Sequence, residues 1–292
     1  LFDHLRKKIQ VIHAHSTYPS GYAAVLFAKI FNVPTVIALD GEEAVFLEDI
    51  QFGHLGNKWR KGKNEFVISK ASVITALTQF QASGILHQYQ RMSEIIIRGI
   101  DRGKLFEPRR TFPNQYTTFL NVGYLHPVKD PMMLIDAFAK IAEKLPCKLI
   151  QVGKDYMNGD VQALARRLKV DNRIEFKGLV PHDEMASIYE KADVLLHSSL
   201  FESQAMVMNE AMTHGLLVLG TRVGLFADLD GYCCKTVLPG DANALASLVV
   251  TTLQDTEECS RLLRNAEKWC AEHNLDFTTG KYLHLYDRLL NG

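Results

Sequence analysis

Residues 192–199, Ala-Asp-Val-Leu-Leu-His-Ser-Ser, and residues 201–212, Phe-Glu-Ser-Gln-Ala-Met-Val-Met-Asn-Glu-Ala-Met, decide how this chain folds. The first run is apolar and bounded by small polar residues, the pattern of a strand buried on both faces of a parallel sheet. After Glu202 the chain becomes helical, with Gly215 as its stop. Glu202 therefore lies in a loop after a strand, and Glu210 is expected about two turns into a helix. Glu210 is the one charge in an apolar segment, and a buried carboxylate needs a partner. That partner is either a neighbouring backbone or arginine group or the hydroxyls of a ligand. Open α/β sheets bind ligands beyond the carboxyl ends of their strands, where this segment lies.

Working outward, the same alternation recurs. Strands are expected at 9–15, 34–39, 72–77 and 93–97, and a helix runs from Pro19 through Phe31. A second series begins with strand 117–122 and helix 131–144. Strand 148–152, helix 161–168 and strand 173–176 follow, then a turn at Gly178-Leu179-Val180-Pro181 and a helix near His182. Strand 217–220 and helices 242–254, 256–272 and 277–290 complete it. Strand–helix alternation of this kind means parallel sheets with crossover helices.

The 292 residues are 47% hydrophobic with a formal net charge of 0, enough for two cores and without a field that attracts nucleic acid. The five cysteines form no Cys-x-x-Cys pair, so a zinc site is not expected and reduced cytoplasmic thiols are. No apolar run reaches the length of a membrane span. The basic run Lys58-Trp59-Arg60-Lys61-Gly62-Lys63 reads first as a solvated loop and second as a peripheral contact with an anionic membrane.

Glu202 and Glu210, spaced Glu-x7-Glu and followed by Ala211-Met212 and His214-Gly215, resemble the fourth family of retaining glycosyltransferases. The likeness extends through His13–Lys29, Val33–Glu43, Ile96–Asp101, Phe106-Glu107-Pro108 and Gly123–Asp130. It implies the GT-B fold: two Rossmann-like parallel-sheet domains facing across a cleft. Residues 1–112 would form the acceptor-side domain, with 275–292 as a helix crossing back to it. Residues 113–274 would form the donor-binding domain, and Arg109–Asn114 would be the linker. Two or three strands that the family places earlier do not precede Leu1, so an incomplete first domain is expected.

The implied activity is transfer of a sugar, with retention, from a nucleotide-diphosphate donor to a glycan or lipid-linked hydroxyl. No cofactor is expected beyond that substrate, and no metal, because no Asp-x-Asp clamp occurs. By the resemblance Glu210 holds the nucleotide ribose and Glu202 lies beside the donor sugar and diphosphate. Lys129, after the Gly123 turn, clamps the diphosphate. Leu179 and Val180 present backbone to the base, and Ser203, Gln204 and Ala205 join the binding set. Asp40 stands where most members have a sugar-contacting His, and Tyr124 where they have a second phosphate-binding Arg. Arg222 is the alternative cation. The rival readings are a non-catalytic nucleotide-sugar-binding module and a nucleotide-sugar epimerase of the same fold.

Overall fold

The computed structural model describes residues 9–100, 112 and 115–291. Its contacts divide the chain into two units, Leu1–Gly99 with Leu275–Gly292, and Ile100–Asn274. The expected linker, apart from Phe112, and the stretch Phe106-Glu107-Pro108 lie outside the described residues.

The first unit contains a four-stranded sheet of β1 (Ile12–His15), β2 (Thr35–Ala38), β3 (Val73–Ala76) and β4 (Glu94–Ile95), all parallel and in chain order. Three helices intervene: α1 (Tyr22–Phe31), α2 (Lys58–Lys70) and α3 (Gln79–Tyr89). Strand β2 is buried throughout, and with Ile68, Ile74 and Ile85 it forms the core. The C-terminal helix α11 (Leu275–Asn291) belongs to this unit and packs Leu285 against Val36 and Ile96.

Two expectations fail here. The basic run at 58–63 is the first half of α2, not a loop. Asn57 caps that helix, its Oδ1 accepting from the amides of Trp59 and Arg60 at 3.0 and 3.1 Å. The helix escapes hydrophobic patterning because part of its buried face is polar: Asn64 is 1% exposed, with Oδ1 2.6 Å from the Thr17 hydroxyl. Helix α1 begins at Tyr22 rather than Pro19, after a wide turn over Thr17–Gly21.

The second unit holds a six-stranded parallel sheet: β5 (Thr117–Val122), β6 (Cys147–Val152), β7 (Ile174–Gly178), β8 (Val194–Leu196), β9 (Leu217–Thr221) and β10 (Cys234–Val237). Its spatial order is β10-β9-β8-β5-β6-β7. The chain moves outward from β5 to β7, returns to the other side of β5 and proceeds outward again. β5 and β8 are thus neighbours whose following connections diverge, which opens a crevice at their carboxyl ends.

Helices α4 (Pro131–Ala142), α5 (Asp160–Arg167), α6 (Met185–Tyr189), α7 (Met206–Thr213), α8 (Gly224–Asp228), α9 (Ala242–Gln254) and α10 (Thr256–Glu272) surround this sheet. Phe119 on β5 and Phe138 on α4 are fully buried and meet edge to face at 6.3 Å. All five cysteines are free, buried and in this unit. Strand β10 and helices α3 and α8 carry too little periodicity to be read from sequence. Helix α7 starts only at Met206, because Ala205 takes a left-handed conformation (φ 67°). Glu210 therefore sits little more than one turn in, not two.

Candidate active site

Lysine 129 ends a short 3-10 turn, Pro127–Lys129, that is fixed at both ends. The ring Nδ1 of His126 accepts from the Val128 amide at 3.3 Å, and Asp130, in left-handed conformation, caps α4 through Met133. Pro131 suits the first helical position, where no amide bond is needed. The loop is tied to the one after β8: the Ser198 hydroxyl donates to the Lys129 carbonyl at 2.7 Å, and the Leu200 amide to the Val128 carbonyl at 2.8 Å.

These ties bring Lys129 to Glu202, with Nζ 2.5 Å from Oε1. The same oxygen accepts from the Ser199 hydroxyl at 2.8 Å and lies 3.3 Å from His197 Nε2. Three groups therefore converge on Oε1 and leave Oε2 out of the knot. Burial alone would push the Glu202 carboxyl up, but His197 and Lys129 outweigh it and hold it at about 2. It is a charged, weakly basic carboxylate that can orient hydroxyl groups.

Two glycines make room for this knot. A side chain at Gly220 would place its Cβ 2.7 Å from both the Cβ and carbonyl oxygen of His197. At Gly224 it would stand 3.1 Å from the Cβ and carbonyl oxygen of Glu202.

Glu210 is not in the knot. Its Oε2 accepts from the Tyr189 hydroxyl at 2.5 Å. Tyr189 is 1% exposed, stacks on His214 at 4.8 Å, and is pushed far above its ordinary pKa by burial and the neighbouring carboxylate. A cavity of ≈ 370 Å³ is lined by Gly123, Tyr124, Lys129, Leu179, Val180 and Glu210, together with Val122, Val152, Gly153, His182 and Met185. Gly123, Lys129, Leu179, Val180 and Glu210 thus share one wall-to-wall space, although 87 residues separate Gly123 from Glu210 (210 − 123).

The remaining candidates, Tyr124 apart, lie outside the cavity lining. Ser203, Gln204 and Ala205 form the turn into α7; Gln204 accepts from the Leu225 amide at 3.1 Å. Arg222, the alternative cation, is engaged by Asp230 at 2.6 Å and Thr236 at 3.1 Å. Tyr124 is half exposed and meets Tyr156 edge to face at 5.5 Å. Asp40, in the first unit, pairs with Arg98 at 2.8 Å and lies 3.7 Å from His15. Among the described residues no group of three His, Cys, Asp or Glu side chains is arranged to hold a metal, and no helix is long and apolar enough to cross a membrane. Sequence reading missed His197, Ser199 and Tyr189. A histidine within an apolar strand run looks like core, and Tyr189 announces itself only through its distance to Glu210.

Residues 116–255 match the profile of the family described as glycosyl transferases group 1. The chain is 25% identical over 268 residues to N-acetyl-alpha-D-glucosaminyl L-malate synthase of Bacillus anthracis, covering 86% of this chain and 67% of that protein. To D-inositol 3-phosphate glycosyltransferase of Corynebacterium glutamicum it is 25% identical over 309 residues, covering 97% of this chain and 73% of that protein. Anabaena Alr3699/HepE, solved in complex with UDP, superposes with a TM-score of 0.80 at 18% identity, over 98% of this chain and 80% of that one. Paired parallel sheets and this likeness define the GT-B class of fold. Within that class, residues 116–255 are similar to the group 1 glycosyltransferases.

Proposed function

We propose that this protein transfers a glycosyl group from a nucleoside-diphosphate sugar to a hydroxyl of a glycan or glycolipid, with retention and without a metal ion. One observation carries the reading: Gly123, Lys129, Leu179, Val180 and Glu210 line a single cavity at the carboxyl ends of the central strands. The Val122, Val152, Leu179 and Val180 part of the lining suits a base, Glu210 the ribose diol, and Lys129 the diphosphate. The name of the Anabaena neighbour's ligand, UDP, accords with such an occupant.

The chemistry separates charge, because the sugar becomes cationic as the diphosphate leaves. Stabilising that leaving anion is the main task of the site. Lys129 supplies a full charge. Helix α7 supplies a partial one, since its N-cap is Ala205, which has no side-chain acceptor to occupy the first amides. Glu202, held charged by its three partners, is a poor nucleophile and base. Its role here is to orient donor hydroxyls through Oε2, not to form a glycosyl-enzyme.

Assay with UDP-glucose, ADP-glucose and GDP-mannose, and NMR assignment of the product's anomeric configuration, tests this directly. An inverted product, or no turnover and no binding with any donor, would count against it. Catalysis is expected to persist in excess chelator; loss of activity restored by magnesium or manganese would contradict metal independence. Glu210→Ala is expected to weaken nucleoside diphosphate binding by about 1–3 kcal/mol, the cost of an unmade buried hydrogen bond. Glu210→Gln, which still accepts from Tyr189, should lose less. Calorimetry showing unchanged affinity in both variants would remove Glu210 from the ribose.

A further inference from the structure

Histidine 197 is 3% exposed at the end of β8, stacked on Phe226 at 4.3 Å. Its Nε2 faces Glu202 Oε1 at 3.3 Å and Ser199 Oγ at 3.0 Å. The ionised Glu202 can only accept, and the Ser199 hydroxyl is within donating distance of that same oxygen, so the proton of the ring is assigned to Nε2. Nδ1 faces Thr221 Oγ1 at 3.4 Å. The Thr221 hydroxyl donates to the Ser199 carbonyl at 2.7 Å, so it too is available only as an acceptor. A neutral ring leaves Nδ1 bare against a lone pair. A doubly protonated ring would bond on both sides. The pocket is therefore laid out for an imidazolium.

The ionisable groups acting on the ring are Glu202 and Lys129, from the loops after β8 and β5. Burial, with a smaller contribution from the Lys129 ammonium, lowers the pKa of the ring; Glu202 raises it, and the net direction is down. Lys129 is thus the charge that satisfies Glu202 while His197 stays neutral. Lys129 also lines the cavity. An ammonium drawn from Glu202 to an arriving diphosphate would leave a buried carboxylate short of one positive charge, next to a ring built to supply it.

We infer that His197 is a positioning residue that takes up a proton when Lys129 engages the donor diphosphate, so that donor binding and protonation are coupled. The inference rests on the donor-site reading above. The proton comes from solvent and adds to the Nδ1 lone pair. Nδ1–H then donates to Thr221 Oγ1 and Nε2–H to Glu202 Oε1, which keeps Glu202 ionised and in place. The ring's pKa is raised in the complex relative to the free protein. Donor affinity therefore rises as pH falls through the window between those two values and levels off outside it.

Calorimetry of the full chain with UDP-glucose, ADP-glucose and GDP-mannose, in two buffers of different ionisation enthalpy near neutral pH, reads this out. Both phosphates of these donors are esterified, so the ligands do not titrate there. Expected is a net uptake approaching one proton per donor bound, and affinity that gains up to about tenfold per pH unit lowered within the window. His197→Gln keeps a donor at the Nε2 position but cannot charge. It should bind donor with no buffer-dependent heat. Thr221→Val, which removes the acceptor for Nδ1–H without changing shape, should reduce the uptake and covers the case of a poorly folded His197 variant. Donor binding with no proton uptake by the wild type, or the same uptake in His197→Gln, would overturn the inference and leave the donor site standing. Failure of all three donors to bind, or unchanged binding in Lys129→Ala, would instead overturn the donor-site reading.

Discussion

Lys129→Ala is expected to lower affinity for nucleoside diphosphates by roughly 10- to 150-fold, the loss of a hydrogen bond to a charged group at about 1.5–3 kcal/mol. Binding of the matching nucleoside should change little. The resemblance implies that this work is usually divided between an Arg and a Lys, with Tyr124 standing at the position expected for the Arg. The alternative cation, Arg222, is held by Asp230 and Thr236. Lys129 also neutralises Glu202, so alanine leaves that carboxylate with only His197 and Ser199. Lys129→Arg should recover part of the affinity, because charge survives while geometry changes. Calorimetry across diphosphate and nucleoside ligands distinguishes the outcomes. Intact diphosphate affinity in Lys129→Ala, with loss in Arg222→Ala, would transfer the role to Arg222.

Gly153→Ala is expected to be the most damaging single-methyl change near the cavity. Gly153 has φ +140°, and a Cβ there would stand 2.0 Å from the Gly123 carbonyl oxygen and 2.9 Å from the Tyr124 amide. Both neighbours are backbone, held because the Gly123 amide bonds Val152 at 2.9 Å and the Gly153 amide bonds Gly178 at 2.8 Å. Backbone strain and overpacking each contribute about 1–3 kcal/mol, a large share of a typical total of 5–15. The midpoint of thermal unfolding should fall by roughly 5–20 °C, and nucleotide binding should fall with it. Gly159→Ala is the control: its φ is +89°, but nothing lies within 4 Å of the added Cβ. Equal melting temperatures for the two variants would mean that the Gly123 loop yields easily.

Much of the second unit was legible because its central strands have apolar centres and few charges. Thr117–Val122 and Leu217–Thr221 are buried almost end to end, and such runs bounded by Gly or Pro admit few other readings. That Glu202 and Lys129 each follow a strand of the same parallel sheet was also legible, but their direct ion pair was not. Helix α2 was not legible. Burial of Asn64 and His54 reverses the rule that polar residues face water, and only their tertiary hydrogen bonds explain it. Equally hidden was the division of labour between the two glutamates. Their spacing suggests one shared role, but that Glu202 meets a lysine and Glu210 a tyrosine depends on residues 73 and 21 positions away in sequence.

The thiols supply an intrinsic clock for one half of the molecule. Burial pushes Cys147 and Cys259 up to about 11 and Cys233 to about 12, so the reactive thiolate is scarce in the folded state. All five cysteines lie between Ile100 and Asn274. An alkylating dye added to the native protein would therefore be consumed only as fast as that unit opens, and would be blind to opening of the other. Labelling rates with and without an added nucleotide would time the breathing of that half without a single engineered probe.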